Sequence, residues 1–201
     1  KKLSPSVYVY SGENRPPGLL GDTLALKVMP DHVFGDGSHP TTRLCAGAVD
    51  VLCRLRKPQA VLDVGTGTGI LARIARARGA EFVVGTDIDL GALESAKSHS
   101  ALDASLTRIE VSSDLPDHWG PRFDLVVANI LEGPLRSLAP RLARALVPDG
   151  ALLISGFTPG QTHALRTTFV QAGLEYVSES TLEGWALLMF ASRDDGCKRA
   201  P

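Results

Sequence analysis

Short apolar runs alternate with longer amphipathic stretches from residue 60 onward. The runs are rich in β-branched residues and are bounded by glycine, proline or aspartate, which predicts strands. These predicted strands cover residues 60–64, 82–86, 106–111, 123–128 and 151–155. Because strands that alternate with helices are typical of βαβ units, the pattern predicts a mostly parallel sheet.

The longer stretches carry apolar residues at spacings of three and four, with Arg, Lys and Glu on the opposite face. This period is typical of amphipathic helices that bury one face against a sheet. The sequence therefore predicts helices over residues 71–78, 90–102, 135–146 and 161–172.

The pattern changes near the end of the chain. Residues 174–180 and 185–191 both resemble strands, and the pair Glu183-Gly184 between them favours a tight turn. Two strands joined in this way pair antiparallel. We therefore expect an α/β fold with a doubly wound, mostly parallel sheet, helices on both faces and a C-terminal antiparallel strand.

The first forty residues do not follow this alternation. Residues 11–21 are rich in Gly and Pro and predict a loop, residues 23–28 predict a short strand, and residues 30–40 predict a second loop. An amphipathic helix over residues 41–55 then leads into the core sheet. We interpret the part before this helix as an extension or lid, and not as a second domain.

A glycine-rich segment follows the first core strand directly. Its residues, from strand end to helix start, are Gly65, Thr66, Gly67, Thr68 and Gly69. In open α/β sheets ligands bind at the carboxyl ends of strands, and glycine lets the backbone approach a ligand closely. A dinucleotide site would usually have its third glycine at position 70, where this chain has Ile70. The spacing favours a nucleoside without pyrophosphate, and the alternative is an ordinary strand-to-helix turn.

Two carboxylates accompany this segment. Asp63 lies at the end of the first strand, where it can accept hydrogen bonds in the loop or pair with an ammonium group. Asp87 ends the second strand, close to the spacing of about 20 residues at which an acid binds ribose hydroxyls. The alternative is that Asp87 caps the next helix, although Asp89 directly precedes that helix and is the better cap candidate.

Two further segments carry candidate chemistry. Residues 34–42, Phe-Gly-Asp-Gly-Ser-His-Pro-Thr-Thr, form a loop before a helix, and such loops cover ligands or simply supply a cap, here Ser38 or Thr41. Asn129 follows a core strand, where its amide oxygen can orient an amine without adding charge. Asn also favours turns, but its position at a strand's carboxyl end favours a role in the site.

Composition narrows the function classes. A length of 201 residues fits one domain, and 21 Lys and Arg against 22 Asp and Glu provide no global field for nucleic acid or an anionic membrane. No run reaches the roughly 18 apolar residues of a membrane span, and the first residues lack a signal-peptide pattern, so we expect a cytoplasmic protein. Cys45, Cys53 and Cys197 indicate neither a disulfide framework nor a zinc site.

The motifs together resemble those of known enzymes. Residues 63–69 with Asp87 look like the S-adenosylmethionine site of class I methyltransferases. Residues 34–42 and 129–135, the latter Asn-Ile-Leu-Glu-Gly-Pro-Leu, are similar to motifs of the bacterial lysine methyltransferases that act on large-subunit ribosomal protein eleven. The resemblance implies the class I methyltransferase fold, which is Rossmann-like and has a seven-stranded sheet.

The resemblance also implies roles for individual residues. Phe34, Thr41 and Thr42 would close over the cofactor, and Asn129 would lie beside the methyl group as the candidate catalytic residue. The segment after the third strand would contact adenine. The implied cofactor-binding residues are Phe34, Thr41, Thr42, Asp63, Gly65, Thr66, Gly67, Gly69, Asp87, Ile88, Ser113, Asp114 and Asn129.

This chain departs from the family in two respects. Asp36 stands where the family has Thr, and a carboxylate there could recognise a different ligand group. The family also carries an N-terminal domain that grips its ribosomal substrate, and little sequence precedes Phe34 here. The chain is therefore a fragment, or an enzyme that acts on another protein or on a small amine.

We expect a S-adenosylmethionine-dependent N-methyltransferase that acts on a lysine or N-terminal amine of a protein, with no metal. The alternatives are a small-molecule N- or O-methyltransferase and a non-catalytic cofactor-binding module. Residues 1–40 would form the extension and cofactor-covering loop, 41–193 the methyltransferase domain and 194–201 a disordered tail. The acceptor, the number of methyl groups and the oligomeric state are left open.

Overall fold

The computed structural model describes residues 1–19, 21–30, 32–102, 109–112 and 122–193, with only the backbone of 109–112. Predicted features at Cys197 and in the tail 194–201 lie outside these ranges. The elements in chain order are β1 (Lys2–Ser4), β2 (Val7–Tyr10), β3 (Leu24–Lys27), α1 (Pro40–Arg56), β4 (Ala60–Val64), α2 (Ile70–Ala77), β5 (Phe82–Thr86), α3 (Leu90–Ser100), β6 (Ile109–Ser112), β7 (Phe123–Asn129), α4 (Glu132–Ala145), β8 (Leu146–Phe157), a 3₁₀ turn (Pro159–Gln161), α5 (Thr162–Gln171), β9 (Leu174–Leu182) and β10 (Trp185–Ser192).

The main sheet has seven strands in the order β6-β5-β4-β7-β8-β10-β9. Strands β4 to β8 pair parallel with one another, and β10 is antiparallel to both β8 and β9. The predicted doubly wound α/β fold with a C-terminal antiparallel strand is therefore confirmed. The order reverses between β4 and β7, and in open α/β sheets ligands bind at such a reversal, outside the carboxyl ends of the strands.

Two hydrophobic cores lie on the two faces of this sheet. Along β4, Val61 packs into the core under α1 and α2, and Leu62 packs into the core under α4 and α5. Neighbouring residues of a strand point to opposite faces, so a strand buried on both sides consists almost entirely of apolar residues. This explains why the core strands can be predicted from short apolar runs. Cys45 and Cys53 of α1 are both buried, in agreement with a packing role.

A second, three-stranded sheet forms the N-terminal part of the chain. In it β1 pairs antiparallel with β2, and β2 pairs parallel with β3. The sequence predicted β3 but neither β1 nor β2. Both are only three or four residues long, and their apolar residues are stabilised by the core under α1, where Leu3, Val7 and Val9 are buried.

A buried ion-pair network joins this N-terminal sheet to the helices. Nε of Arg78 lies 2.6 Å from Asp50 on α1, and Nη1 of Arg78 lies 2.6 Å from Asp22 in the loop before β3. Asp50 also accepts a hydrogen bond from Ser6 in the turn between β1 and β2. Because Asp50 is 1% exposed, removal of Arg78 would leave a buried carboxylate with only its longer pair to Arg54, at 3.9 Å.

Most predicted boundaries agree with the structure to within a few residues. Leu146, predicted as the end of a helix, is the first residue of β8 and pairs with Phe123. The third predicted strand begins at Ile109, and residues 106–108 lie outside the described ranges. Asp89 caps α3 through a 2.8 Å bond from the Gly91 N–H, as predicted.

Candidate functional site

The glycine-rich segment leaves β4 at the point where the sheet order reverses. Gly65, Gly67 and Gly69 have φ angles of 71°, 53° and 76°, a region that other residues enter at a cost. The N–H groups of Gly65 and Thr66 donate to the carbonyl of Thr86 at 2.8 and 2.9 Å. The loop is thus held by the neighbouring strand β5 before any ligand arrives.

Close packing also requires glycine at these positions. A Cβ atom at Gly65 would collide with the side chain of Ile130, and one at Gly67 with the carbonyl oxygen of Phe34. A Cβ at Gly69 would lie 3.3 Å from that of Ala96 on α3. The segment is therefore enclosed by three separate parts of the chain.

Phe34 and Gly35 lie directly on the glycine-rich segment. The Thr68 N–H donates to the Phe34 carbonyl at 3.0 Å, and the Thr68 hydroxyl donates to the Gly35 carbonyl at 2.8 Å. The Phe34 side chain remains 51% exposed. These bonds place the backbone of the loop over the segment and leave an aromatic ring at its rim.

Asp63 is a fully buried carboxylate beneath the glycine-rich segment. Its Oδ2 accepts bonds from the Thr66 hydroxyl at 2.7 Å and from the Ala72 N–H at 3.2 Å. Its Oδ1 has no partner among the residues that the structure describes. Burial raises the pKa of Asp63 to about 6, although these two hydrogen bonds act in the opposite direction. A buried carboxylate with one open oxygen is suited to a cationic ligand.

Asp87 lies one strand away at the end of β5. Its Oδ2 accepts the Gly67 N–H at 3.0 Å and its Oδ1 accepts the Asp89 N–H at 3.1 Å. Each carboxylate oxygen still has a free lone pair for a hydroxyl. The neighbouring Ile88 is 97% exposed, so an apolar side chain stands uncovered beside this carboxylate.

The N-terminal cap of α1 is neither Ser38 nor Thr41, the two residues considered from the sequence. His39 is the N-cap, and its Nδ1 accepts from the Thr41 N–H at 3.3 Å and contacts the Thr41 hydroxyl at 2.7 Å. The interpretation of Ser38 or Thr41 as the cap was therefore wrong, because the imidazole nitrogen takes the place of a side-chain oxygen. Thr41 and Thr42 are buried, and the hydroxyl of Thr42 has no partner among the described residues.

Asn129 is the last residue of β7, next to β4. Its side-chain oxygen is buried and has no partner in the described part of the chain. Its backbone oxygen lies 3.9 Å from a Cβ built on Gly65, so the end of β7 borders the glycine-rich segment. The neighbouring strand is fixed by Ser155, whose hydroxyl donates to the Ala186 carbonyl at 2.7 Å and whose carbonyl accepts the Ile130 N–H at 3.1 Å.

An aromatic cluster that the sequence did not predict borders the same edge. The ring of His39 lies 5.2 Å from that of Phe34 and 4.6 Å from that of Trp185 at the start of β10. Arg43 of α1 pairs at 2.6 Å with Glu183 in the turn before Trp185. These residues come from distant parts of the chain, so no local pattern could have grouped them.

Asp36 is bonded within its own loop and to the first residue of the chain, and it also lines an open cavity of about 600 Å³ beside Met29 and His32. Its carboxylate accepts bonds from the Ser38 N–H at 2.8 Å and from the Lys1 ammonium at 3.3 Å. Its side chain shapes the turn of this loop, and recognition of a ligand group by Asp36 stays a prediction. Ser113 and Asp114, the predicted adenine contacts, lie outside the described residues.

The described residues contain no group of three or more His, Cys, Asp or Glu side chains arranged to hold a metal ion. No helix in the described ranges has the length and apolar character to cross a bilayer.

The donor set fits S-adenosylmethionine, which combines an ammonium, a sulfonium and a ribose. Asp63 and Asn129 lie on adjacent strands, and each has a buried side-chain oxygen that no described residue bonds. Such oxygens are costly unless a donor or a cation reaches them. The two carboxylate oxygens of Asp87 suit the hydroxyls of a ribose. The exposed side chain of the neighbouring Ile88 suits the attached base.

Comparisons with known families agree with this geometry. The family model described as ribosomal protein L11 methyltransferase (PrmA) matches residues 6–193. The ribosomal protein L11 methyltransferase of Burkholderia cenocepacia (strain HI2424) is 41% identical over 178 residues, which are 86% of this chain and 56% of the relative. The chain thus spans about half the length of the curated relatives it matches.

Solved structures show the same fold. The crystal structure of the ribosomal protein L11 methylase from Lactobacillus delbrueckii subsp. bulgaricus superposes with a TM-score of 0.83 at 29% identity, and the match covers 96% of this chain and 97% of that one. The N-methyltransferase NodS from Bradyrhizobium japonicum WM9, solved with S-adenosyl-L-homocysteine, superposes at 0.61 with 15% identity over 77% of this chain and 89% of that one. The latter likeness concerns the fold alone.

Proposed function

This chain belongs to the ribosomal protein L11 methyltransferase family, and we propose that it binds S-adenosylmethionine and transfers the methyl group to an amine of a protein. The amine would be a lysine side chain or an N-terminus, and a ribosomal protein is the first acceptor to test. The observation that carries this proposal is the pair of buried oxygens on Asp63 and Asn129, at the carboxyl edge of β4 and β7, to which no described residue donates a hydrogen bond. A cationic group of the cofactor would pair with the Asp63 oxygen, and an acceptor amine would donate a hydrogen bond to the Asn129 oxygen.

Several residues would hold the cofactor. Asp63 would pair with its ammonium, Asp87 would accept the ribose hydroxyls and Ile88 would pack against the base. The backbone of Gly65, Thr66, Gly67 and Gly69 would line the cleft, and Phe34, Thr41 and Thr42 would cover it. Ser113 and Asp114 remain predicted adenine contacts.

When bound, S-adenosylmethionine supplies a methyl group that is already activated by its sulfonium. The protein would then mainly position and desolvate the reactants, and alignment of two reactants can contribute about 7 to 11 kcal/mol. The Asn129 oxygen would accept a hydrogen bond from the acceptor amine and so direct its lone pair. The apolar surroundings would favour the neutral, nucleophilic form of a lysine by lowering its pKa.

Charge at the site is consistent with a cationic ligand and an amine acceptor. Asp63 and Asp87 lie on neighbouring strands at this edge, whereas Glu183 is neutralised by Arg43. Direct transfer by alignment requires no metal or covalent nucleophile. We also propose a cytoplasmic location, in keeping with a ribosomal acceptor.

The first test is calorimetric titration with S-adenosylmethionine and, separately, NAD. We expect micromolar binding of S-adenosylmethionine only, and loss of that binding in Asp87→Ala. The matched control is Glu81→Ala, which removes an exposed carboxylate just before the opposite end of the same strand. Absence of S-adenosylmethionine binding by the wild-type chain would refute the proposal.

The second test is transfer of labelled methyl groups to ribosomal protein L11, to a mixture of other ribosomal proteins and to free amines. Methylation of a protein amine supports the proposal. Methylation of small amines alone would show the small-molecule alternative, and binding without any turnover would show a non-catalytic module.

A further inference from the structure

His99 is a buried, titratable side chain that the proposed chemistry does not use. It lies in the last turn of α3 and is 0% exposed. Its Nδ1 lies 2.9 Å from the carbonyl of Ser95, one turn earlier in the same helix. Its Nε2 accepts the backbone N–H of Met29 at 3.0 Å. The second bond leaves the helix and reaches a segment seventy residues earlier in the chain.

These partners assign the roles of the two ring nitrogens. The Met29 N–H can only donate, so Nε2 is the acceptor, and Nδ1 donates to the Ser95 carbonyl. The ring thus has a donor on one side and an acceptor on the other, and both are used. A buried backbone N–H without such an acceptor would be costly.

Met29 directly precedes the predicted loop 30–40, which we call the covering loop and which contains Phe34 and Gly35. The preceding residue, Val28, donates to the Tyr10 carbonyl at 2.8 Å and packs in the core. Phe34 and Gly35, a few residues further on, are tied to Thr68. The loop is therefore anchored at its root by His99 and at its tip by Thr68.

Helix α3 links His99 to the proposed cofactor site. It begins at Leu90, shortly after Asp87, and its Ala96 packs against Gly69. His99 lies three residues after Ala96, so it projects from the same side of the helix. One helix face thus contacts the glycine-rich segment and also holds the start of the loop that covers it.

We infer that His99 is a positioning residue, which through Met29 holds the covering loop in the orientation that places Phe34 and Gly35 over the cofactor cleft. The inference rests on the proposed function. It gives α3 a second role, since the helix holds the covering loop in addition to following Asp87, the proposed ribose ligand. Loss of the Met29 bond would loosen the loop and speed release of the cofactor, while Asn129, at the end of β7, would stay in place.

Two amide substitutions separate this role from simple packing. In His99→Asn the side chain can still reach the Ser95 carbonyl, but it is too short to reach Met29. In His99→Gln the amide extends to the position of Nε2 and restores an acceptor for Met29. We expect His99→Asn to raise the dissociation rate of S-adenosylmethionine by about five- to fiftyfold, the effect of one lost buried hydrogen bond, and His99→Gln to recover most of it.

The dissociation rate is measured by stopped-flow displacement, together with kcat and KM for the cofactor. The expected result is a higher KM with little change in kcat at saturating cofactor. Leu165→Ala is the matched control, because Leu165 is equally buried but lies in the core on the other face of the sheet. This control should lower the melting temperature without changing the dissociation rate. Equal rates in wild type and His99→Asn, or the same increase in Leu165→Ala, would overturn the inference.

Hydrogen exchange on the free protein provides a readout that does not depend on the cofactor. We expect the amides of Met29 and Thr68 to lose protection in His99→Asn and to keep it in His99→Gln. If the wild-type protein binds no S-adenosylmethionine, the proposed function fails. If exchange at both amides is unchanged in His99→Asn, the positioning role of His99 itself is refuted.

Discussion

The two halves of the site differ in how their polar groups are satisfied. We define the cofactor half as β4, β5 with Asp87, and the glycine-rich segment, and the acceptor half as the carboxyl ends of β7 and β8 with the start of β10. In the cofactor half, both oxygens of Asp87 accept backbone N–H bonds and the Thr86 carbonyl holds the loop, while Oδ1 of Asp63 is left as a charged oxygen without a partner among the described residues. In the acceptor half, the Asn129 oxygen has no partner among the described residues and Leu131 is 70% exposed.

This contrast indicates a division of tasks. The cofactor half is organised before binding, so it loses little conformational freedom when a ligand enters. The acceptor half is completed only by a second molecule, which must supply the missing donor and cover the exposed apolar surface. Changes in the first half should therefore alter cofactor affinity, and changes in the second half should alter turnover.

The largest effect is expected at Asn129. In Asn129→Ala, kcat at saturating cofactor should fall by about a hundredfold or more, the loss typical of one positioned polar group in an active site. The dissociation constant for S-adenosylmethionine should change little, because the cofactor half stays intact. Single-turnover methylation and calorimetry measure the two quantities separately.

Asn14→Ala is the control for Asn129, because it removes the same side chain from an exposed loop. It should leave both quantities unchanged. Unchanged turnover in Asn129→Ala would show that the acceptor amine is oriented by other groups, and the division between the two halves would then fail.

The next effect concerns Gly67. In Gly67→Ala the new Cβ would collide with the carbonyl of Phe34, so the covering loop must move, and we expect cofactor affinity to fall by about tenfold to a hundredfold. Gly21→Ala is matched for backbone strain, because Gly21 has a φ of 59° against 53° for Gly67, yet nothing lies within 4 Å of its Cβ position. Equal affinity in the two variants would mean that the contact with Phe34 does not matter.

The same contrast explains what the sequence could predict. The cofactor half is one continuous stretch in which strand, glycines and acid follow each other, so Asp63, Gly67 and Asp87 can be recognised from local spacing. The acceptor half is assembled from distant segments, and no local pattern links His39 with Trp185. The N-terminal strands were missed for a related reason, because runs of three or four residues gain their stability from the core and not from their own sequence.

Asp63 should make cofactor binding depend on pH. Because burial raises its pKa to about 6, its carboxyl group is neutral below that value and cannot pair with an ammonium. We expect the dissociation constant for S-adenosylmethionine to rise by up to about tenfold per pH unit as the pH falls below 6. Titrations between pH 5 and 8 measure this, and a flat profile would contradict the assignment of Asp63 to the ammonium.

The stability of the free protein should show the opposite dependence. The folded state favours the protonated form of Asp63, so its contribution is fully present below the ordinary pKa and is lost as the pH rises through about 6. Asp63→Asn should therefore raise the free energy of unfolding at pH 8 by up to about 3 kcal/mol while it weakens cofactor binding. A destabilised Asp63→Asn protein would show that the charge is well solvated in the fold.

The smallest effect is expected at the pair between Arg43 and Glu183, which fixes the turn before Trp185 to α1. Glu183 is 58% exposed, so Glu183→Gln should lower the free energy of unfolding by less than about 1 kcal/mol. Because Trp185 borders the acceptor half, the acceptor KM should nevertheless rise by about two- to fivefold, with cofactor affinity unchanged.

Glu175→Gln is the matched control, since it breaks the pair of Glu175 with Arg193 at the other end of the same hairpin, where Glu175 is 59% exposed. Chemical denaturation should give the same small loss of stability for both variants. Only Glu183→Gln should change the acceptor KM, because only its pair lies next to the aromatic cluster. If the two variants give the same acceptor KM, the position of Trp185 does not depend on Arg43, and the acceptor half is fixed by the sheet alone.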